Sequence, residues 1–95
     1  MGKVYVGQDF RLTLTGGIDI TGGSAKMRYL KPGASAYTEV AVTIQTPATA
    51  TCYHDFAPAD VDKAGLWKFW LWLTDSGGKV YPGESFTRTI YAEGD

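Results

Sequence analysis

Residues 60–74 read Asp60-Val61-Asp62-Lys63-Ala64-Gly65-Leu66-Trp67-Lys68-Phe69-Trp70-Leu71-Trp72-Leu73-Thr74. Successive side chains of a β-strand point to opposite faces. On that period Trp67, Phe69, Leu71 and Leu73 share one face, and Leu66, Lys68, Trp70, Trp72 and Thr74 share the other. The first set is a core face. The second is unusual, because a sheet with one side in water normally shows polar residues there. Asp75-Ser76-Gly77-Gly78 then breaks the pattern with turn-forming residues and predicts a hairpin into a following strand.

The same alternation recurs on both sides of this stretch. Phe10, Leu12 and Leu14 alternate with Arg11, Thr13 and Thr15. Ala25, Met27 and Tyr29 alternate with Lys26, Arg28 and Leu30. Val40, Val42 and Ile44 read as one strand, and Ala50, Cys52, His54 and Phe56 as another. Phe86, Arg88 and Ile90 oppose Thr87, Thr89 and Tyr91. With Lys3–Val6 this makes about seven short strands, separated by turn signals such as Gly16-Gly17, Gly22-Gly23 and Lys31-Pro32-Gly33. Tyr81-Pro82-Gly83-Glu84 should bend the last strand and leave it at an edge, since proline removes a ladder donor. Only residues 59–64 look helical, for one turn at most. The expected fold is therefore all-β, an immunoglobulin-like sandwich of about seven antiparallel strands in two sheets, formed as a single domain over residues 1–95. One Cys and one His permit neither an internal disulfide nor a four-ligand zinc site, so packing must hold the fold. The aromatic content of 14% supplies the material.

The segment entering the long strand resembles the corner of immunoglobulin-like domains, D-x-[AS]-G-x-Y-x-C. Asp62, Ala64 and Gly65 match, Trp67 stands at the tyrosine position and Phe69 at the cysteine position. The absent cysteine pair separates the chain from antibody-type domains. A wider likeness covers about residues 4–91. Tyr5-Val6-Gly7-Gln8-Asp9-Phe10, Met27-Arg28-Tyr29-Leu30-Lys31-Pro32-Gly33 and Asp62-Lys63-Ala64-Gly65-Leu66-Trp67 resemble, in order and spacing, the disulfide-free immunoglobulin-like domains of phage tail, neck and baseplate proteins. That resemblance implies a structural role in a virion, with protein partners or self-association, no cofactor and no catalytic residues.

Charge excludes other classes. Nine Lys and Arg against ten Asp and Glu, dispersed along the chain, do not make a phosphate-neutralising surface, so no nucleic-acid partner is expected. No apolar run reaches the roughly 18–20 residues of a membrane helix. The start, Met1-Gly2-Lys3-Val4-Tyr5, lacks the apolar core of a signal peptide and the Ser or Thr of a myristoylation motif, so synthesis in the cytoplasm is expected.

Three groups of residues could carry function. The outward Trp70 and Trp72, with Lys68 on the same strand and Arg28 on a neighbour, form a candidate interface. Two alternatives stand beside it. The indoles could be covered by Lys68, by the Arg28 guanidinium, or by loops at 31–37 and 79–84. They could also stack against a glycan in an adhesion or carbohydrate-binding module. Cys52 and His54 share a strand face, but i and i+2 side chains start nearly 7 Å apart and no orienting group stands near in sequence, so a buried hydrophobe and a strand-end residue are expected. Asp55, Asp60 and Asp62, with Asp9 and Asp19 in other loops, lack calcium-loop spacing; Asp60 and Asp62 read as caps of the turn and corner. The Gly pairs match no phosphate-binding loop and read as turns. No catalytic or metal residue is expected.

Overall fold

In the computed structural model, which describes residues 3–94, the alternating run becomes the longest of nine strands. The leader and myristoylation readings turn on Met1 and Gly2, which lie outside the described residues. In chain order the strands are β1 (Val4–Tyr5), β2 (Phe10–Thr15), β3 (Ser24–Leu30), β4 (Thr38–Ala41), β5 (Thr43–Thr46), β6 (Thr51–Phe56), β7 (Gly65–Thr74), β8 (Val80–Pro82) and β9 (Phe86–Tyr91). One sheet runs β1-β9-β7-β3-β4, with β8 also paired to β7; the other is β2-β6-β5. The fold is an all-β, immunoglobulin-like sandwich.

Nine strands replace the seven expected because two runs divide. The stretch Val40–Ile44 keeps one alternation phase but changes sheets at Val42, so β4 joins β3 and β5 joins β6. At this crossing the carbonyl of Ala41, the last residue of β4, accepts a hydrogen bond from His54 Nδ1 at 2.8 Å. The last strand divides at Gly83–Ser85 into β8 and β9, both antiparallel to β7, and Gly83 N donates to the Leu71 carbonyl at 2.7 Å. Here β8 is an edge, whereas β9 is not wholly one, because β1 pairs with it in parallel at Ile90 and Tyr91. The sandwich is thus not purely antiparallel.

The inward face of β7 is buried throughout: Trp67, Phe69, Leu71 and Leu73 are each at most 2% exposed. They pack between Met27 and Tyr29 of β3, Leu12 of β2, Cys52 and Phe56 of β6, and Ile90 of β9. The rings interlock. Tyr29 stacks on Trp67 at 5.6 Å between centroids and meets Phe56 edge-on at 5.3 Å, and Phe56 stacks on Phe10 at 5.6 Å. Such pairs add about 0.5–1.5 kcal/mol each beyond burial.

The corner before β7 closes on the indole. Trp67 Nε1 donates to the Lys63 carbonyl at 2.9 Å, four residues upstream, while the ring enters the core. This is the geometry by which a corner tyrosine hydroxyl bonds upstream backbone, made here by an N–H. Gly65 takes φ +132°, and a Cβ there would come 2.8 Å from Pro32 Cγ. Asp60 caps the short turn, accepting from Ala57 N at 3.3 Å. Asp62 does something else than the capping expected of it. Its carboxylate accepts from Lys31 Nζ at 2.8 Å, tying the loop after β3 to the corner.

Removing the indole should therefore be among the costliest single changes. Trp67→Ala is expected to lose about 3–5 kcal/mol, and Trp67→Phe, which leaves the Lys63 carbonyl without its donor, about 1–3 kcal/mol. Urea denaturation measures both; a Trp67→Ala loss no larger than that of Trp70→Ala would contradict the corner's role.

Acid should weaken the sandwich through two ion pairs. The Arg11 guanidinium, bonded to both oxygens of Asp55 at 2.6 and 3.1 Å, holds that carboxyl below its usual range, and Lys31 does the same for Asp62. A carboxyl lowered on folding contributes stability above its unfolded value of about 3.9, and that contribution fades as pH falls through the lower folded value. Thermal melts should show Tm falling below about pH 4, less steeply in Asp55→Asn/Asp62→Asn. Equal slopes would show that the pairs carry no pH dependence.

Candidate interaction face

The outer face of the larger sheet is set by the register of β3, β7, β8 and β9. Arg28 stands opposite Trp70, and Lys26 opposite Trp72. Cross-strand neighbours at this spacing touch. Pro82 lies on the other side of Trp72, and Val80 on the other side of Thr74. Leu66 pairs with Thr89, and Lys68 with Thr87. Tyr37, just before β4, folds onto the same face, its ring 5.9 Å from that of Trp70 and edge-on.

Arg28 organises this surface. Its guanidinium lies 3.9 Å from the ring centre of Trp72 and 4.5 Å from that of Tyr37, and its Nε donates to Glu39 Oε2 at 2.9 Å. Lys26 approaches the other Glu39 oxygen at 3.9 Å. The side chain of Arg28 is only 17% exposed, so its cation–π contacts fall towards the stronger end of about 0.5–2 kcal/mol. Trp70 and Trp72 are half-buried and Lys68 is exposed. The indoles are thus partly covered, by Arg28 and by Tyr37. Around them stand Leu66 at 59% exposure, Tyr37 at 49% and Val80 at 45%.

Glu39 was legible in the sequence and missed, whereas Tyr37 was included only as the end of the 31–37 loop offered as a cover for the indoles. Carrying the Val40 and Val42 phase backwards puts residues 37 and 39 on the outer side with Ala41. Val80 was not legible, since its face depends on the length of the hairpin that Asp75 closes. That carboxylate accepts from Gly77 N and Lys79 N, each at 2.9 Å.

The remaining candidates are dispersed. Cys52 is buried, its Sγ 3.6 Å from the Ala50 carbonyl, and burial pushes its thiol up. His54 turns to Ala41 instead and packs edge-on to Phe56 at 4.5 Å. Asp55, Asp60 and Asp62 are engaged by Arg11, Ala57 N and Lys31, and Asp19 accepts from Thr21 N and Oγ1. Among the described residues no three of His, Cys, Asp and Glu stand together as metal ligands would. Of the Gly pairs, Gly22 takes a turn conformation at φ +81°, whereas Gly23 is a close approach where a Cβ would meet the Thr74 carbonyl oxygen at 2.0 Å.

No protein-family model matches the sequence, and no curated protein matches it. Among solved structures, a candidate glycoside hydrolase from Bacteroides vulgatus is similar over 100% of this chain, with a TM-score of 0.57 and 17% identity. The chain covers 17% of that longer protein. At this identity the likeness is one of fold: the sandwich recurs as one part of a larger polypeptide.

Proposed function

We propose that the domain is a non-catalytic interaction module whose working surface is the outer face of the larger sheet, engaging a protein partner. One observation carries this reading. Tyr37, Leu66 and Val80, three of the four large hydrophobic side chains that stand exposed among the described residues, share that face with Trp70 and Trp72. Apolar clusters of this kind mark contact surfaces, and Trp, Tyr and Arg are the residues that dominate binding energy where proteins meet. Arg28 is already held between rings and Glu39, which lowers the ordering cost of association. The resemblance of residues 4–91 to phage proteins supports a virion component, or a second copy of the chain, as the partner.

Glycan binding is the second reading. It is favoured by the ring-rich surface and by the description of the structural neighbour as a candidate glycoside hydrolase. Against it, a sugar ring stacks on an indole face, and Arg28 already lies 3.9 Å over Trp72.

Trp70→Ala/Trp72→Ala is expected to remain folded, losing no more than about 2 kcal/mol, while losing assembly. Light scattering should give the wild type a mass that rises with concentration above 10.3 kDa, and the double variant a mass that does not. An unfolded double variant would place the indoles in the fold and remove the interface. A monomeric wild type whose tryptophan fluorescence is quenched by oligosaccharides would replace a protein partner with a glycan.

A further inference from the structure

The two sheets are unequal in width. Three strands cover a sheet of five in series, and the shortfall lies beyond β2. There β2 pairs only with β6, so every second residue along its six presents N–H and C=O to an open edge. The other exposed edges are guarded by brevity or irregularity: β1 has two residues, the stretch of β9 that β1 leaves open is only 86–89, β4 has four residues, β5 has four with a register shift, and β8 has three with Pro82. By contrast β2 is regular from Phe10 to Thr15, with neither proline nor bulge. Such an edge is a template for another strand.

A cleft runs along this edge between β2 and the inner face of β9. It has two compartments, of about 630 Å³ beside Phe10–Thr13 and about 400 Å³ beside Leu14–Gly16, which share Phe86. Both lie in the size range of binding clefts, about 300–1,000 Å³. Phe86 faces inward, opposite Phe69 in the register, yet is 41% exposed, because no strand lies over it.

We infer that this cleft accepts an extended segment of a partner polypeptide, which adds to β2 as the missing fourth strand of the smaller sheet. Main-chain ladder bonds to β2 would supply affinity, and apolar side chains at alternate positions would cover Phe86. Charge sets the direction. With Arg11 neutralised by Asp55, Lys3 and Arg88 still outnumber Asp9 at the Phe10 end, while Glu84 lines the Thr15 end. The incoming strand carries a carboxylate at the Phe10 end and a cation near Glu84. A second copy pairing through its own β2 does not meet these demands, because its Phe10 and Leu12 already fill its own core. The inference is independent of the outer face.

The test uses the whole chain and short synthetic peptides that alternate Val and Thr between a terminal Asp and a terminal Lys, made in both orientations. Amide NMR shifts are expected along residues 10–15 and at Phe86, with the indole signals of Trp70 and Trp72 unmoved, and one orientation should bind better. Phe86→Glu should weaken binding by at least about tenfold, since it removes the apolar ring that the added strand would bury. A peptide of the same composition with its valines grouped, which cannot present one apolar face, should bind far less to the unaltered protein. Equal binding of the grouped peptide, shifts confined to the outer face, no shifts at all, or β2 amides already protected in a self-associated protein would each overturn the proposal.

Discussion

The structure depends on the placement of one indole. Trp67 fills the space between Tyr29 and Phe69 with its ring and closes the corner with its N–H on the Lys63 carbonyl. The two actions are coupled. The hydrogen bond fixes where β7 begins, and the starting point of a strand with period two decides which residues face the core. A slip of one residue would bury Lys68 and Trp70 and expose Phe69. With no disulfide to hold the sheets together, and Cys52 free within the core, that register rests on packing and on the corner.

Once Trp67 is committed inward, Trp70 and Trp72 have nowhere to go but out. Arg28 and Tyr37 manage the consequence: the guanidinium covers one indole, Tyr37 abuts the other, and Glu39 balances the charge. The result is a surface that is ordered before it meets anything. The core and the outer face are therefore two products of one alternation. The similarity over 17% of a longer protein shows a sandwich of this fold as part of a larger chain.

What was legible in the sequence was local. Strict alternation in residues 10–15, 25–30 and 66–74 assigned inner and outer faces correctly, because period two needs no knowledge of the partner strand. What depended on the third dimension was not. Nothing in Val40-Ala41-Val42-Thr43-Ile44 signals that the chain changes sheets at Val42, because both halves keep the same phase and only the pairing differs. Asp62 reads as a cap from its spacing, but Lys31 lies 31 positions away in sequence and reaches it only after β3 is in place. The open flank of β2 is likewise invisible until the strands are counted in each sheet.

The three tryptophans divide into one core residue and two face residues. Paramagnetic relaxation of the indole ring signals by a soluble gadolinium chelate tests this most directly. Trp67, 1% exposed, should be spared while Trp70 and Trp72 are both broadened. Broadening of Trp67 to the same degree, or protection of all three rings in a monomeric protein, would contradict it.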